Sequence, residues 1–144
     1  MQNTPLREIM VTKVVTAHAR DPFSSVEKKL RIHKIRHLPV VDESGKLTGI
    51  ITERDLNRTV SPRIAEDGSR YYDKIMLDSF ILEHCMTPNP LALKPHSTLK
   101  DAVDIMATHK FGCIPIIMND KTLVGIVTQI DILKFLSRWM KSSG

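Results

Sequence analysis

The stretches GIITERD at residues 49–55 and GIVTQID at residues 125–131 repeat Gly, Ile, Thr and Asp at identical spacing. The two stretches lie 76 residues apart, and other identities recur at that offset without a gap from about residue 6 to residue 60. A match at one fixed offset over such a length indicates a tandem duplication. The further identical pairs include Met10 with Met86, His33 with His109, Lys34 with Lys110, Pro39 with Pro115, and Leu47 with Leu123.

Each repeat has the pattern strand, helix, strand, strand, helix, which predicts an α+β fold. The first helix of each repeat is predicted from apolar residues at helical spacing. Asp21 is the expected N-cap of this helix in the first repeat, with Pro22 at its first position, and Ser97 is the expected N-cap in the second. The predicted buried residues are Phe23, Val26 and Leu30 in the first repeat and Leu99, Ala102, Val103, Met106 and Ala107 in the second.

The predicted strands are short apolar runs separated by turn sequences. In the first repeat VVTA opens the unit, and HLPVV and LTGII are joined by the turn DESGK. In the second, LAL opens the unit, and CIPII and LVGIV are joined by MNDKT. The expected organisation is a first domain at residues 5–60, a linker at 61–80 that becomes helical before Leu82, a second domain at 81–138, and a C-terminal tail at 139–144.

Composition is typical of an ordinary globular protein, with 42% apolar and 26% charged residues in a chain of 144. Cys85 and Cys113 form neither a disulfide framework nor a metal-ligand pattern, so both are expected to be small reduced core residues. The opening residues lack a secretory apolar core, and no run approaches the ~18 apolar residues of a membrane span, so the expected location is cytoplasmic. The net charge of +5 is interspersed rather than blocked, which does not favour nucleic acid as the partner.

Thr52 and Thr128 each follow a predicted strand and precede an acid by three residues. In one interpretation they are N-caps, with Asp55 and Asp131 at the third helical position beside the positive end of the helix dipole. Because Asp is shorter than the usual Glu, its reach back to the cap is expected to be imperfect. In the other interpretation free helix amides bind a phosphate, and the carboxylate accepts hydrogen bonds from a ribose diol. Spacing alone leaves both open.

The segments HLPVVDESGKLTGIITERDL and CIPIIMNDKTLVGIVTQIDIL resemble the cores of two cystathionine-β-synthase (CBS) domains, and the pair resembles a Bateman module. The resemblance covers about residues 5–138. It implies two tandem CBS domains packed sheet to sheet around a pseudo-twofold axis. It also implies two clefts between the repeats that bind AMP, ADP, ATP or S-adenosylmethionine, with sensing rather than catalysis as the role. Modules of this kind often associate as dimers.

The same resemblance implies roles for individual residues. Asp55 and Asp131 are implied to contact ribose, and Thr52 and Thr128 to approach ribose or phosphate. An adenine slot is implied beside the first strand and around each proline, at Val15, Thr16, His37, Leu38 and Pro39 in the first repeat, and at Leu91, Ala92, Cys113, Ile114 and Pro115 in the second.

The two implied sites differ in charge. The first has His37 and Arg54 where the second has Cys113 and Ile130. Arg54 can form charge-assisted hydrogen bonds to a phosphate, and His37 can add more when protonated, although Arg54 can equally be a surface residue of a helix. We therefore predict that the first site prefers the more phosphorylated ligand, and that the second takes a less charged one or stays empty.

Other patterns predict no catalysis and no metal. His33 and His37 are four residues apart, but the helix should end near Lys34, so the two rings are not expected to share a face. No nucleophile has a recognisable base, no catalytic cofactor is expected, and no phosphate-binding glycine loop is present. Phe135 and Trp139 in the last helix favour a homodimer, with intramolecular packing as the alternative. An effector protein in trans is expected to receive the signal, and the rival functions are a purely structural module and a basic nucleic-acid binder.

Overall fold

The computed structural model describes residues 1–78 and 82–143, and the chain divides into two compact units. The first unit consists of residues 15–90, and the second consists of residues 1–14 together with 91–144. These units do not coincide with the sequence repeats. The opening segment of each repeat belongs to the unit that contains the body of the other repeat.

The first unit is built on an antiparallel sheet of order β1-β2-β5. In chain order its elements are α1 (Phe23–His33), β1 (His37–Val41), β2 (Leu47–Thr52), α2 (Glu53–Thr59), β3 (Arg63–Ile64), β4 (Arg70–Tyr71), α3 (Lys74–Asp78), a 3-10 turn (Leu82–His84) and β5 (Thr87–Pro88).

The second unit repeats this plan with an antiparallel β6-β7 pair. Val11 bridges Ile126 in the way that β5 pairs with β2. The last helix takes in residues 139–143, which the sequence had assigned to a tail. In chain order the elements are a 3-10 turn (Leu6–Glu8), α4 (Leu99–His109), β6 (Cys113–Ile117), β7 (Leu123–Thr128) and α5 (Gln129–Ser143).

The helices lie where their apolar spacing predicted, but their first residues differ. In α1 the N-cap is Pro22, which has no side-chain cap, and Asp21 instead accepts a hydrogen bond from the N–H of His18 at 2.9 Å. In α4 the N-cap is Thr98 rather than Ser97, because Thr98 forms a reciprocal capping box with Asp101. Two of the residues predicted to be buried on α4 are instead exposed, namely Val103 and Ala107.

The two opening strands were overpredicted. VVTA and LAL each contribute one parallel bridge, Ala17 to Val40 and Leu93 to Ile116. The N–H of Ala17 donates to Pro39 O at 3.0 Å, and the N–H of Val41 donates to Ala17 O at 2.9 Å. The next bond of a parallel ladder would need an N–H on Pro39, which proline lacks. Pro115 ends the pairing beside Leu93 in the same way.

The stretch between the repeats contains a two-stranded hairpin in addition to the short α3. Arg63 pairs with Tyr71 and Ile64 with Arg70, and all four residues are exposed. Asp67 accepts from both the N–H and the hydroxyl of Ser69 at the tip of this hairpin. A turn closed by local side-chain bonds therefore precedes the helix that the sequence predicted.

Each unit has its own hydrophobic core. That of the first unit centres on Phe23, Leu38 and Ile51, and that of the second on Ile114, Ile116 and Val127. Cys113 is buried and Cys85 half-buried, both as free thiols. Within the described residues no helix combines the length and apolarity needed to cross a bilayer.

Candidate functional site

Thr52 and Asp55 form a closed capping box at the junction of β2 and α2. Thr52 Oγ1 accepts from the Asp55 N–H at 3.1 Å, and Asp55 Oδ2 accepts from the Thr52 N–H at 3.0 Å. The capping interpretation is confirmed, and the expected imperfect reach of Asp was wrong, because the Asp55 carboxylate reaches the Thr52 N–H at hydrogen-bond distance. Among the described residues no donor bonds to Asp55 Oδ1. One carboxylate oxygen thus holds the helix and the other is available.

Thr128 and Asp131 form the same box between β7 and α5. Asp131 Oδ2 accepts from the Thr128 N–H at 2.8 Å, and the Asp131 N–H donates to Thr128 Oγ1 at 3.3 Å. The Thr128 hydroxyl also donates to Asp131 Oδ2 at 2.9 Å. Its proton is therefore engaged, and a ligand that used this hydroxyl as a donor would have to displace the carboxylate.

The helix openings offer fewer free amides than the sequence suggested. The N–H of Glu53 donates to Arg36 O at 2.9 Å, and the N–H of Gln129 donates to Gly112 O at 3.0 Å. Since Asp55 and Asp131 use their own N–H groups in the capping boxes, two of the first three amides of each helix are occupied. Of the free amides that the second interpretation requires, the one left in each helix is that of Arg54 or of Ile130.

Strand register places the residue two positions before each proline opposite the capping threonine. His37 pairs with Thr52, and Cys113 pairs with Thr128. Side chains of directly opposed residues lie about 5 Å apart on one face of the sheet. The half-buried His37 is thus brought beside the Thr52–Asp55 box, whereas Arg54 is exposed at the second position of α2.

Burial shifts the pKa at both of these matched positions. Burial lowers the pKa of His37 below its usual 6.5, the charge of Arg36 lowers it further, and Asp55 opposes both. The lowered pKa favours neutral His37 at pH 7, so the contribution expected of this residue when protonated is confined to lower pH. At the matched position burial raises the pKa of the Cys113 thiol to about 12, so Cys113 is also uncharged.

Of the proposed adenine-slot residues, some line a surface and others are enclosed. Val15, Thr16 and Ala92 are half-buried, and Leu91 is exposed. By contrast the side chains of Leu38 and Ile114 are fully buried in the two cores, and the two prolines are buried as well. The structure therefore buries four of these residues, and their contact with a ligand stays a prediction: Leu38, Pro39, Ile114 and Pro115.

The prolines leave one backbone acceptor unused in each unit. No described N–H donates to the carbonyl oxygen of Val15 or of Leu91, because the residue that would donate is Pro39 or Pro115. The neighbouring carbonyl of Thr16 is occupied, since it accepts from Lys29 Nζ at 2.8 Å. Each unit thus presents an open carbonyl near its capping box.

Sequence reasoning missed Arg36 and Lys29. The carbonyl of Arg36 accepts from the first N–H of α2, and its charge adds to the lowering of the His37 pKa that burial mainly causes. The matched residue of the second repeat is Gly112. The position of Arg36 next to His37 was the available signal. Lys29 gave no signal, because its contact with Thr16 crosses from α1 to the opening segment.

The sequence model of the CBS domain family matches residues 6–61 and 82–138 of this chain. This chain belongs to the CBS domain family. It carries two tandem CBS domains, as the sequence resemblance implied. A CBS domain-containing protein of Dictyostelium discoideum is 30% identical over 132 residues, which are 91% of this chain and 90% of that relative.

Solved structures of CBS pairs agree with the fold. A CBS domain pair in complex with 5′-methylthioadenosine and S-adenosyl-L-methionine is 27% identical, with a TM-score of 0.76 over 93% of this chain and 96% of that one. A protein from Vibrio cholerae described as a putative acetoin utilization protein has a TM-score of 0.81 at 22% identity, over 99% and 98% of the two chains, and supports the fold alone. Other curated relatives carry enzyme names, but the chain covers only 22–25% of their length.

Proposed function

We propose that this chain is a regulatory module that binds an adenosyl ligand, namely AMP, ADP, ATP or S-adenosylmethionine. One site would lie beside Thr52 and Asp55, and the other beside Thr128 and Asp131. The observation that carries the proposal is the duplicated pairing of a capping box with a proline-freed backbone carbonyl. Support also comes from the 27% identical CBS pair, whose structure holds two adenosyl compounds.

The chemistry of each site suits a nucleoside. Asp55 Oδ1 is a charged acceptor for a ribose hydroxyl, while Oδ2 stays on the helix and fixes the orientation of the carboxylate. The open carbonyl of Val15 can accept from the exocyclic amine of adenine, and half-buried Val15 and Thr16 offer the ring a partly apolar surface. Asp131, Leu91 and Ala92 would take the corresponding roles in the second unit.

The charge difference favours different ligands at the two sites. Arg36, His37 and Arg54 of the first repeat correspond to Gly112, Cys113 and Ile130 of the second. A phosphate chain at the first site would gain charge-assisted hydrogen bonds from the two arginines. We propose that ATP or ADP prefers the first site and a less charged adenosyl compound the second.

Sensing rather than catalysis is the proposed role. A ligand shifts the balance between conformations only by the difference in its affinity for them, so the signal reaches an effector protein through that shift. We also propose a homodimer formed through α5, where Phe135 is half-buried and Trp139 remains 42% exposed. Light scattering of wild type and Trp139→Ala tests this, with a monomeric variant expected and a monomeric wild type contradicting it.

A thermal-shift panel of AMP, ADP, ATP and S-adenosylmethionine tests the ligand class. Ligand at about 100 times its dissociation constant stabilises by about 2.7 kcal/mol. For a chain of this length that raises Tm by roughly 5–10 °C. Indifference to all four compounds would favour a purely structural module. Binding of oligonucleotides that falls steeply with salt would favour the nucleic-acid alternative.

A further inference from the structure

A methionine packs against the glycine of each GI(I/V)T motif. A Cβ added to Gly125 would lie 2.6 Å from Met10 Sδ and 2.9 Å from Met10 Cγ. A Cβ added to Gly49 would lie 2.6 Å from Met86 Sδ and 3.0 Å from Thr87 O. Real Cβ atoms essentially never show contacts below 3.0 Å, so a larger residue at either position would require the methionine side chain to shift.

The pairing crosses the sequence repeats. Met10 belongs to the first repeat, but it contacts Gly125 of the second, and Met86 of the second contacts Gly49 of the first. Backbone bonds fix the same approach: Val11 and Ile126 exchange two hydrogen bonds of 2.9 and 3.0 Å, and the N–H of Asn89 donates to Thr48 O at 3.0 Å. Each methionine thus lies over the strand that ends at the capping threonine of the other repeat.

We propose that Met10 is a positioning residue for the Thr128–Asp131 site, and Met86 for the Thr52–Asp55 site. Gly125 and Gly49 each stand three residues before the capping threonine, about 10 Å along the strand. A binding group has to be held to within about 0.5 Å, so a strand that sinks into the space left by a truncated methionine misplaces the carboxylate at its end. The affinity consequence rests on the proposed function, whereas the geometric one does not.

The first test is Met10→Ala, with Met106→Ala as the matched control. Met106 is the same residue type, is buried in the core of the same unit, and lies on α4. Amide hydrogen exchange should rise at Thr128 and Asp131 in Met10→Ala, and remain at wild-type level at Thr52 and Asp55. Met86→Ala should give the mirror pattern. Exchange that rises in both capping boxes, or equally in Met106→Ala, would overturn the proposal.

The second test fills the space instead of emptying it. Gly125→Ala alone should disturb β7, but in the double variant Met10→Ala/Gly125→Ala the new methyl group occupies the space that Sδ left, with Val11 O at 3.2 Å. The double variant should approach wild-type exchange more closely than either single variant. Simple addition of the two defects would refute positioning by this contact. Met10→Leu, which keeps the volume, should behave as wild type, so the design stays decisive if Met10→Ala does not fold.

Calorimetry connects this contact to binding. In an Asp55→Ala background, which leaves the second site to report, Met10→Ala should weaken S-adenosylmethionine binding by roughly tenfold and Met106→Ala by far less. Unchanged affinity despite raised exchange would overturn the positioning role. If the wild-type chain binds no adenosyl compound, the proposed function fails, and the exchange pattern still decides whether each methionine positions the other repeat's strand.

Discussion

Replacing the capping aspartates separates a helix cap from a ligand contact, because the chain contains a third capping box to serve as control. Thr98 and Asp101 share the reciprocal bonds of Thr52 with Asp55 and of Thr128 with Asp131, at 2.9 and 3.2 Å. That box opens α4 and belongs to neither proposed site. A cap without a ligand role is therefore available in the same molecule.

Each of Asp55→Ala, Asp131→Ala and Asp101→Ala should lower the free energy of unfolding by about 1 kcal/mol, the usual cost of a lost helix cap, because each loses a bond to a cap N–H that solvent screens and a favourable helix-dipole interaction. Asp131→Ala also loses the bond from the Thr128 hydroxyl. That corresponds to a fall in Tm of about 2–4 °C. Hydrogen bonds to charged groups contribute about 1.5–3 kcal/mol, so loss of a carboxylate–ribose contact should weaken binding roughly 10- to 150-fold. Only Asp55→Ala and Asp131→Ala should show this second loss.

The assay combines thermal unfolding without ligand and isothermal calorimetry with ATP and with S-adenosylmethionine. Asp55→Ala should mainly weaken the binding of ATP, and Asp131→Ala should mainly weaken the binding of S-adenosylmethionine, the less charged compound. Equal losses of ATP binding in these two variants would contradict the asymmetry. Affinity that falls as far in Asp101→Ala as in Asp55→Ala would refute the reasoning, since the aspartates would then act through stability alone.

Three further predictions concern groups near these sites. Since burial and Arg36 lower the pKa of His37, this residue binds a proton more readily in the unfolded protein than in the folded one. Its contribution to the free energy of unfolding should therefore be fully present above pH 6.5 and be lost as the pH falls below that value. Denaturation curves of His37→Gln should show a weaker loss of stability over the same pH range. Phe23→Ala should cost about 3–5 kcal/mol in urea unfolding, against less than about 0.5 for the exposed Ile32→Ala on the same helix. With the pKa of its thiol raised to about 12, Cys113 should react with a thiol reagent only on unfolding, while half-buried Cys85 reacts earlier; equal rates in the native protein would contradict this.

Local patterns predicted the elements and missed the contacts between distant segments. The apolar spacing of Phe23, Val26 and Leu30 located α1, because helical periodicity is written in neighbouring residues. The choice of Ser97 over Thr98 failed because both residue types cap helices, and only the backbone conformation decides which one does. The hairpin at 63–71 was missed because two-residue exposed strands leave no alternation of apolar residues to read.

For the candidate sites, too, the sequence predicted what depends on neighbouring residues and missed what depends on tertiary contacts. Thr52 and Asp55 were correctly placed at a strand-to-helix junction, because their spacing is that of a capping box. The occupied Glu53 amide was not predictable, since it depends on the tertiary position of the Arg36 carbonyl, and the lowered pKa of His37 depends mainly on its burial in the fold. The repeat showed that a methionine and a glycine recur at matched positions, but not that Met10 contacts Gly125.

The exchange of opening segments decides where this chain can be cut. A fragment of residues 1–60 would carry Val11 without its partner strand and would leave Gly49 uncovered, whereas residues 15–90 form a continuous unit with a complete core. An isolated repeat would carry its first residues without the sheet that they pair with here, so two copies of such a repeat could complete each other by exchanging those residues, as in a domain-swapped dimer.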